Sequence, residues 1–278
     1  MNDNNIRMLL SFLTGVIVSH YPTILVHGIG GDSSDLNDLN FALSNEGIDT
    51  YSLQIGNGKL DSVVWNMNKQ CGHLNSSIAN LNLTEERINI IGISQGGLLA
   101  RCYIEKYANQ NKIVNSLITY GTPHMGIYSK AIKLPWLEYW KDPFAYSKYL
   151  ETNDFLVFIN NEQNHPTMEL YKSNLLSLNH FLIVWSEIDK VISPIASSRF
   201  EFYNISLARE KNNLEVVPLN QTEEYLQDTL GLNSLTKANK LNILNYPCKH
   251  EEFKHPKCFS QRFPEQPITL LDVTIDLL

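Results

Sequence analysis

The sequence lacks most of the features that mark proteins binding nucleic acids, metals or redox cofactors. Its 22 lysines and arginines are outnumbered by 29 aspartates and glutamates, for a formal net charge of −7, and they form no basic stripe. A nucleic-acid partner is therefore not expected. The four cysteines include no pair with C-x-x-C spacing, and no cluster of ligand residues has the spacing of a metal site. We predict no metal and no organic cofactor.

Long hydrophobic runs are missing too. The N-terminal apolar run, Met8–Val18, follows Arg7 and is too short to cross a bilayer, so no stable membrane span is predicted. Small and polar residues come after it, as in a cleaved secretory signal, and we predict a signal peptide over residues 1–20. The alternative is a buried first strand or helix. A secreted or luminal location also agrees with four Asn-x-Ser/Thr sequons, which begin at Asn75, Asn82, Asn204 and Asn220.

The cysteines are Cys71, Cys102, Cys248 and Cys258. In an oxidising compartment they allow two disulfides in three connectivities. Pairing Cys71 with Cys102 and Cys248 with Cys258 closes the shortest loops. In a reducing compartment all four would be small buried side chains.

Repeats, low-complexity tracts and flexible linkers are absent, and one domain over residues 21–278 is the simplest organisation. Strand patterns alternate with helical patterns, which predicts βαβ units, a mostly parallel sheet and helices on both faces. The strand patterns lie at 21–26, 50–55, 88–93, 113–120, 181–185 and 241–246. The main helical patterns lie at 35–45, 60–81, 95–108 and 270–278. Over about 122–179 the strand rhythm stops, and we predict an inserted helical cap above the carboxyl edge of the sheet.

The most informative segment is Gly92-Ile-Ser-Gln-Gly96, which joins a β-branched strand directly to an amphipathic helix. This is the G-x-S-x-G nucleophile elbow in its required context, and it predicts an α/β-hydrolase fold with Ser94 as the nucleophile. A Cβ on either glycine would strike neighbouring backbone in so tight a turn. The alternative is an ordinary strand-to-helix turn.

A serine hydroxyl needs a base, and the base needs an orienting acid. In this fold the order along the chain is serine, acid, histidine, each in a loop after a later strand. Asp189 follows the strand at 181–185 and is the predicted acid, with Glu187 as the second candidate. His250 follows the last strand and is the predicted base, with His255 as its rival. Two histidines precede the acid and are expected at the surface or lining a pocket, namely His124 and His165.

The glycine-rich segment His27-Gly-Ile-Gly-Gly-Asp32 follows the first strand and is similar to the His-Gly loop of lipases and esterases. We assign the oxyanion hole to the backbone amides of Ile29 and Gln95. His27 is predicted to hold the loop through its ring nitrogens. In the insertion, Trp136, Trp140 and Phe144 are predicted to line an apolar groove for an acyl chain. The alternative is that these rings pack the cap against itself.

From Pro22 to Leu278 the chain resembles the palmitoyl-protein thioesterases, more the lysosomal depalmitoylating branch than its paralogue. The resemblance lies in these segments: His27-Gly-Ile-Gly30, Gly92-Ile-Ser-Gln-Gly-Gly97, Tyr139-Trp-Lys-Asp-Pro143, Tyr171-Lys-Ser-Asn-Leu175, Asp189–Pro194, Phe200-Glu-Phe-Tyr203 and Tyr225-Leu-Gln-Asp-Thr-Leu-Gly-Leu232. It implies that Ser94, Asp189 and His250 are catalytic. It further implies lysosomal residence, N-glycans and disulfides, with Cys71 at a bridged position. Cys102 precedes the family's usual partner position.

The predicted function is therefore hydrolysis of the thioester that joins a palmitoyl or similar long acyl group to protein cysteine. The expected partners are S-acylated proteins or peptides and the fatty acid product. One alternative is a luminal or secreted lipase or carboxylesterase with the same triad. Another is a catalytically inactive hydrolase fold that binds lipid.

Overall fold

The computed structural model describes residues 20–108 and 110–278, so nearly all of the predicted signal peptide lies outside the described residues. Short buried strands alternate with helices along the chain. The strands are β1 (Thr23–Val26), β2 (Thr50–Leu53), β3 (Arg87–Ile93), β4 (Ile113–Tyr120), β5 (His180–Trp185), β6 (Phe202–Tyr203), β7 (Val216–Val217) and β8 (Leu241–Asn245). The α-helices are α1 (Asn37–Asn45), α2 (Asp61–Val64), α3 (Met67–Asn80), α4 (Gln95–Tyr107), α5 (Tyr146–Thr152), α6 (Leu156–Ile159), α7 (Met168–Leu176), α8 (Ile205–Lys211), α9 (Glu223–Leu226), α10 (Leu232–Lys237), α11 (Pro256–Phe259) and α12 (Leu270–Ile275).

Six strands form one parallel sheet in the order β2-β1-β3-β4-β5-β8. From β1 the chain moves outward to β2 and then returns to pair β3 on the other side of β1. Loops leaving β1 and β3 therefore diverge, and a crevice opens at their carboxyl ends, the usual ligand site of such sheets. The α/β-hydrolase fold predicted from the sequence is confirmed.

The side chains of β3 explain how the sheet is buried on both faces. Ile88 and Ile90 pack into one core cluster with α3, α4 and the insertion, while Ile91 and Ile93 pack into a second cluster with α1 and α12. Alternation with period two places successive side chains on opposite faces. The isoleucines of this one strand thus pack into two cores, one on each face of the sheet.

The long helical pattern predicted at 60–81 is two helices rather than one. Trp65 ends α2 in an extended conformation (φ −75°, ψ 140°), and Asn66 then caps α3 by accepting the amide of Lys69 at 2.7 Å. Asparagine at this position satisfies an otherwise unpaired amide of the first turn, which favours a new helix start. The break places Leu60–Val64 as a separate surface turn beside the carboxyl edge of the sheet.

Between β4 and β5 the structure has the short 3-10 helix Pro143–Ala145 followed by α5, α6 and α7. A small antiparallel pair, β6 with β7, follows β5 and was not foreseen. Both disulfides with the shortest loops are present, joining Cys71 to Cys102 and Cys248 to Cys258. Within the described residues, none of the helices is both long enough and apolar enough to cross a bilayer.

Candidate active site

Ser94 occupies the one-residue turn between β3 and α4. Its backbone has φ 55° and ψ −126°, a strained conformation for a residue with a side chain. A Cβ on Gly92 would lie 2.5 Å from the Gly97 Cα, and one on Gly96 would lie 2.3 Å from the Val26 carbonyl oxygen. Glycine is required at both positions because the contacts are with backbone, which cannot turn aside. The turn holds the serine hydroxyl at the carboxyl edge of the sheet.

His250 bridges Ser94 and Asp189. Its Nε2 lies 2.9 Å from Ser94 Oγ, and its Nδ1 lies 2.7 Å from Asp189 Oδ2. Asp189 is buried, and its Oδ1 accepts the amides of Val191 at 2.7 Å and Ile192 at 3.1 Å. Because the carboxylate accepts at Nδ1, the imidazole carries its proton there and presents a lone pair to the serine. Three side chains far apart in sequence thus form one hydrogen-bonded chain.

The two rival residues lie elsewhere. His255 Nδ1 is 3.1 Å from Asp38 Oδ2, and both side chains are largely exposed. Glu187 is exposed in the loop after β5, and its own amide donates to Asn245 Oδ1 at 3.2 Å. The geometry therefore favours Asp189 and His250 among the candidates that the sequence left open.

The loop that carries His250 is held from both sides. The Cys248–Cys258 disulfide closes it, and the Phe253 ring stacks on Tyr120 with centroids 6.0 Å apart. Gly121 has φ +54°, and a Cβ there would lie 2.9 Å from the Phe253 ring. These contacts order a loop that has no regular structure beyond one 3-10 turn.

His27 anchors the predicted oxyanion loop as expected. Its Nδ1 is 2.9 Å from the Gly28 carbonyl oxygen, and its Nε2 accepts the Ile55 amide at 3.1 Å. Burial lowers the pKa of His27, so the ring is neutral and Nδ1 carries the proton. The Gly31 amide turns back to the Gly28 carbonyl at 3.2 Å. Among the described hydrogen bonds of this loop, none engages the amide of Ile29, the donor that the sequence predicted.

A buried polar network joins this loop to the nucleophile turn. Ser62 Oγ accepts the Gly30 amide at 2.8 Å, and the Gln95 side chain donates to the Ser62 carbonyl and to Gln70 Oε1, both at 2.9 Å. Ser62, Gln70 and Gln95 are each at most 2% exposed. Sequence reasoning missed Ser62 and Gln70 because they lie inside an ordinary amphipathic pattern. Their role is visible only once the two loops meet.

Two neighbouring cavities lie on either side of Gly30. The first, of about 290 Å³, is lined by Ser94 and His250 together with the exposed side chains Ile29 and Val191. The second, of about 280 Å³, includes Gln95 and Trp136 in its wall. Gly30 lines the first cavity and Val63 lines the second. The two cavities are close, because the Val63 side chain lies 4.0 Å from a Cβ built on Gly30.

The predicted groove residues are not brought together around Ser94. Trp136 lines the cavity beside Gln95, and Trp140 lines an adjoining cavity that shares Trp136. Phe144 packs on Tyr128 with ring centroids 5.7 Å apart. Contact of Trp140 and Phe144 with an acyl chain stays a prediction.

A buried arginine on α4 forms hydrogen bonds with the segment between β4 and β5. Arg101 Nε donates to Glu105 at 3.0 Å, and a terminal nitrogen donates to the Ile159 carbonyl at 2.7 Å and to Asn160 at 3.1 Å. Arg101 and Glu105 are fully buried. The helix that follows the nucleophile and the insertion above it therefore share one polar anchor.

The prediction for His124 is wrong. It lies neither at the surface nor in a pocket but is fully buried, with its ring stacked on Phe200 at 4.3 Å and Nε2 3.0 Å from Thr119 Oγ1. Burial holds the pKa of His124 well below its usual value, so the ring packs as a neutral aromatic. His165 is partly exposed, with Nε2 2.8 Å from Asn161 Oδ1. Neither histidine contacts Ser94.

A sequence profile described as palmitoyl protein thioesterase matches residues 22–137 and 132–250. The chain belongs to this family. It is 32% identical over 275 residues to palmitoyl-protein thioesterase 3 of Dictyostelium discoideum, an alignment covering 91% of this chain and 92% of that protein. It is 31% identical over 268 residues to lysosomal thioesterase PPT2-B of Xenopus laevis, covering 86% of this chain and 89% of that protein.

Among solved structures, lipase B of Aspergillus fumigatus has a similar fold, with a TM-score of 0.53 at 14% sequence identity. The similarity covers 92% of this chain and 56% of the lipase. At that identity it supports the α/β-hydrolase fold and no particular substrate. Membership of the thioesterase family rests on the sequence matches, which confirm the resemblance drawn from the motifs.

Proposed function

We propose that this palmitoyl protein thioesterase family member is a serine hydrolase that releases long-chain fatty acyl groups from protein cysteine. The observation that carries the proposal is the placement of the His250 imidazole within hydrogen-bond distance of both Ser94 Oγ and Asp189 Oδ2. Family membership supports the thioester as the bond cleaved. The substrates would be S-acylated proteins or peptides, and the products a fatty acid and a free thiol.

In the proposed first step, His250 Nε2 accepts the Ser94 proton while the serine oxygen attacks the acyl carbonyl carbon. The C–S bond then breaks, and the imidazolium returns the proton to the cysteine sulfur. Asp189 keeps the proton on Nδ1 and stabilises the imidazolium without being protonated itself. In the second step water repeats the attack on the acyl-serine ester, and the fatty acid leaves.

Negative charge on the carbonyl oxygen needs donors that are already in place. We assign this role to the amides of Ile29 and Gln95, which flank Ser94 on the β1 and β3 sides. One such donor is typically worth about 3 kcal/mol in the transition state. The buried network through Ser62 supports the assignment because it restrains both donor segments.

A thioester suits this site chemically. A thiol has a pKa of about 8.5, so the sulfur is a good leaving group as the thiolate and needs little help from an acid before it takes up the proton. Burial of each acyl methylene is worth about 0.8 kcal/mol, which favours an apolar cavity next to the serine. The cavity that holds Ser94, whose wall includes Ile29, Leu36 and Val191, is our candidate for part of the acyl site. We assign the helical segment at about 122–179 to a cap that covers this side of the sheet.

The test is release of palmitate from an S-palmitoylated peptide at acidic and neutral pH. The wild-type chain should release palmitate, and Ser94→Ala should lose nearly all turnover while keeping its unfolding midpoint. Wild-type turnover in Ser94→Ala would overturn the proposal. Preference for a triglyceride over the peptide at equal concentration would favour the lipase alternative. Failure of Ser94 to react with a fluorophosphonate probe would favour the inactive binding module.

We further propose that the protein matures in the secretory pathway and acts in the lysosome. Both disulfides require an oxidising compartment to form, and the Xenopus relative is named a lysosomal thioesterase. The sequon asparagines Asn82 and Asn220 are exposed and open to glycosylation. Enzymatic removal of N-glycans should lower the mass of protein purified from its own host. An unchanged mass together with reduced cysteines would contradict this location.

A further inference from the structure

The most exposed large apolar side chains concentrate around the candidate site. We define the apolar rim as six of them, each between 37% and 69% exposed: Ile29, Leu60, Val64, Ile132, Trp136 and Val191. They come from four separate segments of the chain. Twelve large apolar side chains are this exposed among the described residues, so half of them lie in this rim. Exposed apolar side chains gathered near a candidate site favour an interaction surface there.

Four of the six rim side chains line one of the two cavities. Ile29 and Val191 line the cavity that holds Ser94, and Val64 and Trp136 line the cavity next to it. Leu60 begins the short turn that carries Val64, and Ile132 lies in the loop that carries Trp136. An acyl chain resting on Ile29 and Val191 would therefore lie at the wall of the cavity that holds Ser94.

Lysines stand next to three of the rim side chains. Lys59 precedes Leu60, Lys133 follows Ile132 and Lys190 precedes Val191, and all three lysines are exposed. Lys59 pairs with Asp32 at 3.5 Å, whereas Lys133 and Lys190 have no ion-pair partner in the described part of the chain. Lys133 and Lys190 thus place two unpaired positive charges beside Ile132 and Val191, which favours contact with anionic groups.

We propose that the apolar rim docks on the surface of a lipid bilayer, with a preference for anionic headgroups. The inference rests on the proposed function, since the acyl group of an S-acylated membrane protein is itself inserted in lipid. Exposing each methylene to water is unfavourable, so a path from bilayer to serine across the rim lowers the barrier to substrate capture. Tryptophan, aliphatic side chains and lysines together are the composition of a surface that lies at a membrane interface.

The test compares two double variants of matched chemistry. Leu60→Ser with Ile132→Ser removes two rim side chains that line neither of the two cavities. Phe41→Ser with Leu226→Ser removes two side chains of 68% and 64% exposure outside the rim. Binding is measured by co-sedimentation with phosphatidylcholine vesicles, with and without phosphatidylglycerol.

Wild-type protein and the Phe41/Leu226 control should partition to anionic vesicles equally. The rim variant should bind about tenfold more weakly, which corresponds to withdrawing about two methylene groups from lipid. Release of palmitate from a vesicle-bound S-palmitoyl peptide should fall in the rim variant alone. Cleavage of a soluble short-chain acyl thioester should be the same in all three proteins, which also shows that the variants are folded.

Equal vesicle binding by the rim variant and the control would overturn the docking proposal while leaving the proposed function intact. Absence of Ser94-dependent cleavage of the soluble thioester in the wild type would instead overturn the proposed function. The double variant Lys133→Gln with Lys190→Gln tests the role of the lysines separately, because it leaves the apolar side chains unchanged. It should reduce binding to vesicles containing phosphatidylglycerol and leave binding to pure phosphatidylcholine unchanged. Equal loss on both vesicle types would contradict the role given to the lysines.

Discussion

Asp189→Asn is the sharpest test of the proposed charge arrangement, because the surrounding backbone dictates how the new side chain sits. The Val191 and Ile192 amides donate to Oδ1, and only the carbonyl oxygen of an asparagine can accept them. The amide nitrogen must then face His250 Nδ1 at the position now 2.7 Å away. Nδ1 becomes an acceptor, the imidazole proton moves to Nε2, and Nε2 can no longer accept the Ser94 proton.

We expect kcat of Asp189→Asn to fall about 10⁴-fold, or about 5 kcal/mol in activation free energy. KM should change little, since Asp189 is buried behind the imidazole and lines neither cavity. The assay is palmitate release from the S-palmitoyl peptide, normalised to folded protein. The matched control is Glu187→Gln, which removes the same charge two residues away and should keep wild-type kcat. Turnover of Asp189→Asn within about tenfold of wild type, or loss in Glu187→Gln, would refute the assignment of the acid.

Three further changes test the supports of the site. Ser62→Ala removes the side chain that accepts the Gly30 amide, so the oxyanion loop loses a restraint and kcat should fall more than KM changes, by up to about 100-fold if one oxyanion donor is lost. Ser62→Thr keeps the hydroxyl and should retain most of the activity. Gly96→Ala should abolish activity and lower the urea unfolding midpoint, because its Cβ would lie 2.3 Å from a strand carbonyl oxygen. The control is Gly72→Ala inside α3, where the nearest atom to the new Cβ is 3.8 Å away. It should stabilise the protein by about 0.5–1 kcal/mol. Burial raises the pKa of Glu138 from 4.5 to about 6, and the Asp154 carboxylate, which accepts a hydrogen bond from the protonated form of Glu138, adds to the shift. Because the pKa of Glu138 is higher in the folded state, its contribution to folding stability is complete below pH 4.5 and is lost as pH rises through 6. Glu138→Gln should therefore flatten the change in unfolding midpoint between about pH 4.5 and 7.

Much of the fold was predictable because its signals are local. Strand runs of β-branched residues, helix periodicity and the glycines at the elbow each depend on near neighbours in the chain. Once the sheet is parallel, the carboxyl ends of its strands must meet at one edge. The chain order of serine, acid and histidine therefore indicated Asp189 and His250, and in the structure His250 lies between Ser94 and Asp189.

Other features could not be read from local patterns. The amphipathic pattern around Ser62 predicts one long helix, because such a pattern does not detect the extended Trp65 and the Asn66 cap that start α3 anew. His124 was predicted at the surface or in a pocket. The prediction failed because its stacking partner, Phe200, is distant in the sequence and no local pattern indicates the contact. Trp136 and Phe144 belong to one aromatic segment, yet Trp136 lines a cavity beside Gln95 while Phe144 packs on Tyr128.

The sequence by itself determined the strand-and-helix alternation, the nucleophile turn and the residue types of the triad, because these follow from steric limits and periodicities acting over a few residues. Tertiary structure alone decided which of three disulfide connectivities forms and how the Gly30 amide and the Gln95 side chain come to share Ser62. Those partners are 32 and 33 residues apart along the chain, and they meet only when α2 packs against the crevice between β1 and β3. Contacts of that range are set by the packing of whole elements, which no short pattern of residues encodes.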